Sequence, residues 1–300
     1  MSIVIEINNL TKYYGTHLGI KDLNLIIKSG EVFGFLGPNG AGKSTTIRLI
    51  LNLLQPTSGS VKIFGKDVRK YYSEIFKKLS NVPGELKLYE ELSGYHFLNY
   101  INSFSAKSPE LQKELFDAFQ LKPYDLNKKI KNYSHGMKQK IAIIQAMQEK
   151  PDLLIMDEPS EGLDPINKNV LYDYVAKFKE WGKTVFFSSH YLAEVEKVCD
   201  RVGIVKQGKL IAEESIASLK KKMVRKLEVT FLESYTPQEF NLDNIQIVKE
   251  ESNRLVMNVY GDINSVVRAI SKYKLQNLVF PEPTLEDTFM AFYNRENESK

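Results

Sequence analysis

The segment Gly37–Ser44, GPNGAGKS, follows the apolar run Glu31–Leu36 and precedes Thr45–Leu54, which sets Ile47, Ile50, Leu51 and Leu54 on one helical face. The GxxxxGK[ST] spacing between a buried strand and a helix is that of a phosphate cradle. Its glycines let successive amide hydrogens turn inward, and the helix N-terminus adds its dipole. Lys43 would reach the β- and γ-phosphates of a nucleotide and the Ser44 hydroxyl would ligate Mg²⁺. Gly37, Pro38, Asn39, Gly40, Ala41, Gly42 and Thr45 complete the candidate contacts. A glycine-rich turn that merely shares the pattern is the weaker reading, because the strand and helix flanks are both present.

Two further segments carry candidate chemistry for the same ligand. LLIMDEP, Leu153–Pro159, is apolar until Asp157, so a strand would deliver that carboxylate at its carboxyl end, where ligands of open α/β sheets gather. Asp157 would hold Mg²⁺ directly or through water. Glu158, one residue beyond the strand, would act as general base on an attacking water. An isolated Asp-Glu-Pro is commonly only a turn. TVFFSSH ends at His190, which would emerge at the same edge close to the γ-phosphate. A lone histidine is more often structural, but its place after a third buried strand favours function. In YSHGMKQK, Ser134 reads as the N-cap of a helix whose first amides face solvent, and Gly136 permits close approach, so this helix end suits an anion without any charged side chain. Met137, Ile141, Ile144 and Met147 form its apolar face, consistent with ordinary packing as well.

The elements that must position these residues read as follows. Ser2–Ile7 and Leu23–Ile27 alternate like half-buried strands. Pro56 and Gly59 are expected to stop the helix after the glycine-rich loop. Tyr89–Asn132 is helical and Lys-rich, interrupted at SAKSPE and LKPYD. The uninterrupted apolar runs Leu153–Asp157 and Thr184–His190 suit parallel strands buried on both faces, joined through a helix at about Ile166–Lys179. The charge run Lys220–Lys226 reads as a solvated linker. Beyond it KLEVTF, IQIVKE and RLVMNVY look like strands, DINSVVRAISKY like a helix, and TLEDTFMAFY like a last helix capped by Thr284.

With 300 residues, 43% of them apolar, the chain can form one large domain and a small one. Its 41 basic and 37 acidic side chains leave a net charge of +4, too weak a field to make nucleic acid the main partner. The single cysteine, Cys199, allows no internal disulfide and no cysteine metal site, which suits a reducing compartment. The N-terminus lacks a secretory pattern, and apolar runs such as Leu153–Met156 fall far short of the roughly 20 residues of a membrane helix. A soluble, cytoplasmic chain is therefore expected.

The order GPNGAGKS, YSHGMKQK, LLIMDEP, SEGLD, SSH resembles the ATP-binding subunits of ABC transporters over about residues 3–215. The resemblance implies an α/β P-loop NTPase with a mixed sheet core, an antiparallel β subdomain, a helical insertion and a small C-terminal α+β appendage. It implies a nucleotide-binding domain at 1–219, with a helical subdomain at about 85–150, and an accessory domain at 220–300. YSHGM stands where the family carries its LSGGQ-type signature, so Ser134 and Gly136 would complete the ATP site of a second ATP-binding subunit, identical or different. Tyr14 matches the aromatic residue that stacks on adenine, with Tyr13 beside it. SEGLD, Ser160–Asp164, matches the loop that couples the two sites, with Asp164 its acidic member, and the helical insertion matches the subdomain that grips a permease's cytoplasmic helices.

Three positions depart from the family pattern. His135 replaces a glycine and Met137 a glutamine in the signature, and NVPGELKLYEEL offers Gly84 where a glutamine normally faces Mg²⁺ and water. Either the adjacent Glu85 substitutes or meets the membrane partner, or Pro83-Gly84-Glu85 is only a surface turn. PEPTLEDTFMAFY resembles the tail of the drug- and peptide-exporter branch. The function implied is Mg·ATP hydrolysis in a dimer that drives a separate transmembrane permease, for export, at the inner face of the cell membrane and without nucleic acid. The alternatives are a soluble relative acting on ribosomes or DNA, and a nucleotide sensor without turnover. The second has no need of Glu158.

Overall fold

The alternating N-terminal residues form β1 (Ile3–Tyr14) and β2 (His17–Lys28), which pair antiparallel and run longer than the alternation alone marks. They belong to a computed structural model that describes residues 2–105, 108–221, 225–260 and 262–281. It divides into two units, Met1–Glu214 and Ser215–Lys300, where the sequence reading put a boundary at 219/220.

In the first unit the chain continues through β3 (Val32–Leu36), α1 (Lys43–Ile50), β4 (Ser58–Ile63), β5 (Lys66–Asp67), α2 (Tyr72–Phe76) and β6 (Leu79–Val82). Four helices follow: α3 (Gly94–Asn102), α4 (Gln112–Ala118), α5 (Pro123–Asn127) and α6 (His135–Met147); a break falls at SAKSPE as expected, but α5 starts inside LKPYD, where an interruption was expected, because Pro123 suits the first turn of a helix. Then come β7 (Leu153–Asp157), α7 (Pro165–Glu180), β8 (Thr184–Ser189), α8 (Leu192–Val198), β9 (Arg201–Lys206) and β10 (Lys209–Ser215).

One sheet has the order β2-β1-β4-β5, all antiparallel pairs; the other has the order β10-β9-β3-β8-β7-β6, with β9, β3, β8, β7 and β6 mutually parallel. Every residue of β3, β7 and β8 is buried, as their continuous apolar character demands. The core between the sheets joins Ile5, Ile7, Leu23 and Leu25 to Phe33, Phe35, Ile47, Ile50, Ile155 and Phe186. α1 is therefore clamped between the two sheets, and the loop before it is held from both sides.

Two boundaries differ from the sequence reading. α1 begins at Lys43 and ends at Ile50, well before Pro56. Asn52 takes a left-handed conformation (φ 54°), its amide donates to the Leu49 carbonyl at 3.1 Å, and the Leu53 amide donates to Arg48 at 2.8 Å. This six-to-one and five-to-two pairing satisfies the last carbonyls and closes the helix, so asparagine does what proline was expected to do. His190 lies just past β8 in a bend, which frees its ring from the ladder.

In the second unit α9 (Ile216–Lys221) precedes β11 (Arg225–Phe231), β12 (Ile245–Glu250), β13 (Arg254–Val259), α10 (Asn264–Ile270) and β14 (Leu275–Val279). The strands form an antiparallel sheet of order β12-β13-β11-β14, with Val229, Phe231, Phe240, Met257, Val266 and Ile270 in its core. The expected helix at Thr284–Tyr293 lies outside the described residues, as does part of the charge run at 220–226.

Candidate active site

The glycine-rich loop leaves the carboxyl end of the central strand β3 and enters α1. Gly40 (φ 79°) and Gly42 (φ 107°) occupy backbone regions that L side chains rarely adopt, and Gly42 is the N-cap of α1. A Cβ at Gly37 would stand 2.4 Å from the Val205 carbonyl oxygen, so backbone packing alone requires glycine there. The Gly208 amide donates to the Ala41 carbonyl at 3.0 Å, tying the loop to the β9–β10 turn. Lys43 is only 4% exposed; its Nζ donates to the carbonyls of Gly37 (2.7 Å) and Pro38 (3.1 Å) and pairs with Glu158 Oε1 at 3.0 Å.

β7, two strands from β3, brings the acidic pair to the same edge. Asp157 Oδ1 accepts from the Ser188 hydroxyl at 2.6 Å, while Oδ2 faces Gly84, where a Cβ would lie 3.0 Å away. Glu158 has φ 48°, a strained setting for a non-glycine residue, held by its amide donating to the Ser188 carbonyl (3.2 Å) and hydroxyl (3.0 Å). That turn aims the Glu158 carboxylate across the sheet edge. Oε1 meets Lys43, and Oε2 lies 2.7 Å from His190 Nδ1. Three side chains expected from distant motifs thus form one line, Lys43, Glu158, His190.

Two adjoining cavities open on this line. One, of about 300 Å³, is lined by Tyr14, Asn39, Gly40, Gly42, Ser44 and Thr45. Tyr14, 45% exposed, approaches Thr45 with its hydroxyl 3.4 Å from Oγ1, whereas the Tyr13 amide is bonded to Thr57. The other, of about 840 Å³, runs past Ser44, Arg48, Asn81, Gly84, Asp157 and Glu158. Glu85 lines it too, but its side chain is 71% exposed and pairs with Lys87 at 3.7 Å.

Ser134 and Gly136 belong to a separate corner. Ser134 caps α6, its hydroxyl accepting from the Met137 amide at 3.2 Å. Gly136 packs against the loop 160–164, where a Cβ would lie 2.8 Å from the Gly162 carbonyl oxygen, and His135 covers Gly162 itself. Asp164 caps α7, accepting from the Asn167 amide at 3.0 Å; that bond holds its carboxyl below the usual range. The buried Gln139 donates to the Pro159 carbonyl at 2.9 Å, so α6 and the segment after Glu158 are joined within one chain.

A family model described as ABC transporter matches residues 20–161. The chain is 32% identical to an uncharacterized ABC transporter ATP-binding protein, YcbN of Bacillus subtilis, over 98% of both chains. The chain belongs to the ABC transporter ATP-binding family. It is likewise 32% identical to the bacitracin transport ATP-binding protein BcrA of Bacillus licheniformis, over 97% of both chains. A solved dimeric ATP-binding cassette in a post-hydrolysis state, bound to ADP and Pi, superposes with a TM-score of 0.64 at 27% identity, covering 71% of this chain and 98% of that one.

As an ABC transporter subunit the protein binds and hydrolyses ATP, and its cradle fits a nucleotide's phosphates: glycines at positive φ, a buried lysine and a carboxylate oxygen facing a cavity. The structure brings Tyr14, the loop, Asp157, Glu158 and His190 together. It leaves Ser134, Gly136 and Asp164 on the signature corner, with their own packing. Sequence reasoning passed over Ser188 and Gln139. Ser188 stood in plain view in SSH, but only the register Asp157↔Ser188 between β7 and β8 reveals its bond.

Among the described residues, no helix is long and apolar enough to cross a membrane.

Proposed function

We propose that this subunit hydrolyses ATP as one half of a nucleotide-sandwich dimer and powers a separate membrane permease at the inner face of the cell membrane. The proposed cargo is a drug or peptide moving outward, in keeping with the likeness over nearly the full length to a bacitracin transport ATP-binding protein. The observation that carries the reading is the unbroken line Lys43–Glu158–His190 beside Asp157. In it Lys43 binds the β- and γ-phosphates, and Tyr14 receives the adenine face. Ser44 and Asp157 would hold Mg²⁺, which would supply charge neutralisation on the phosphates. Water attacks the γ-phosphorus as the bond to the β-bridging oxygen breaks. Glu158 takes the proton, and His190 holds its carboxylate in place by the 2.7 Å contact. Ser134 and Gly136 present the start of α6 to the γ-phosphate of the other subunit.

Lys43→Ala is expected to weaken ATP binding itself, whereas Glu158→Gln binds ATP and fails to turn it over. Equilibrium binding and phosphate release on the two purified variants test the assignment; parental turnover by Glu158→Gln would overturn it.

A further inference from the structure

Behind the reacting edge lies a buried carboxylate with no role in the steps above. Glu194, in α8, is 7% exposed. Its Oε1 accepts from the Ser160 hydroxyl at 2.7 Å and from Lys168 Nζ at 3.1 Å, and its Oε2 accepts from the Ser189 hydroxyl at 2.8 Å. Burial works to raise its pKa, but the bonds from Ser160, Ser189 and Lys168 outweigh it and leave the carboxyl below its ordinary value.

The two serines decide what this carboxylate does. Ser160 is two residues past Glu158 and opens the loop that ends at Asp164. Ser189 immediately precedes His190, its hydroxyl also accepts from the Tyr191 amide at 2.9 Å, and its carbonyl accepts from the Gly37 amide at 3.3 Å. One side chain therefore ties the segment bearing the base to the segment bearing the histidine, and the second of these also anchors the start of the phosphate loop. β7 ends at Asp157 and β8 at Ser189, so beyond the ladder Glu194 adds to the bonds by which the Glu158 amide is held to Ser188.

We propose that Glu194 is a positioning residue for ATP hydrolysis. It sets the Glu158–His190 contact from behind and transmits movement of the Ser160–Asp164 loop to His190. This goes beyond the proposed roles of Glu158 and His190 but rests on them. A side chain that sets the base without touching nucleotide governs the rate constant and leaves binding alone.

The test is steady-state ATPase kinetics on purified full-length variants. Glu194→Ala is expected to lower kcat at least fivefold with the KM for ATP within twofold. Glu194→Gln, whose amide keeps a partner for both hydroxyls, is expected to restore kcat to within twofold of the parent. A loss under fivefold in Glu194→Ala, a parallel rise in KM, or a glutamine variant no better than alanine would each overturn the proposal. Should Glu194→Ala fail to fold, Ser160→Ala and Ser189→Ala replace it. Each is expected to lower kcat, and the double variant to cost less than the product of the two, because both bonds serve one function. Independent, multiplicative losses would contradict it. Glu158→Gln run in parallel separates the two claims: if it retains turnover the base assignment fails, whatever the Glu194 series gives.

Discussion

Lys43 and Glu158 meet at 3.0 Å with both side chains largely buried, so the lysine that would bind phosphate is also the base's counter-charge. A nucleotide phosphate must compete with Glu158 for that ammonium. Replacing the carboxylate by an amide removes the competitor and the base together. Glu158→Gln is therefore expected to bind ATP at least as tightly as the parent while turnover falls by about 10²–10⁴, the range of a general base; calorimetric binding and single-turnover hydrolysis read the two effects separately. Gly37 makes a complementary prediction about shape. A methyl group 2.4 Å from the Val205 carbonyl forces the loop off β9, so Gly37→Ala is expected to cost about 1–3 kcal/mol in a denaturant titration and to weaken ATP binding as well.

At the scale of elements, helix ends carry much of the design. Ser134→Ala removes an N-cap, a loss of about 1 kcal/mol of stability. If the same hydroxyl faces a transition state in a second subunit, turnover falls by roughly 3 kcal/mol, on the order of a hundredfold. Comparing unfolding midpoint with ATPase rate tells a cap from a donor. The depressed pKa of Glu194 predicts a pH effect whose sign is fixed. The unfolded chain takes up the proton near 4.5 and the folded chain only at lower pH, so the carboxylate stabilises the fold above 4.5, and this is lost as pH falls through the folded value. The urea midpoint of the parent should therefore exceed that of Glu194→Gln at neutral pH, and the two should converge well below pH 4.5.

These same elements show why some of the protein was legible and some was not. β7 and β8 announced themselves because strands buried on both faces have no polar residues to confuse the pattern. The motif residues are contiguous, so their spacing survives any uncertainty about the fold. β6, LSNV, is too short and too polar to stand out, and β9 acquires meaning only by lying beside β3. Glu194 gave no local signal: its partners Lys168, Ser189 and Ser160 come from α7, β8 and the loop between β7 and α7, and tertiary structure alone assembles them.

Across the whole molecule, the two halves of the proposed reaction centre occupy different corners of one unit. Lys43, Asp157, Glu158 and His190 converge, while the Ser134 cap bonds only the start of its own helix and the loop 160–164 packs beside it. On the proposed mechanism a second copy or a partner ATPase supplies the remaining donors, and turnover per chain follows association. The decisive measurement is ATPase rate per chain over a dilution series, with the dimer fraction determined in parallel by analytical ultracentrifugation. The account predicts a rate that tracks the dimer fraction and vanishes in the monomer range. Full turnover by chains that are demonstrably monomeric would contradict it.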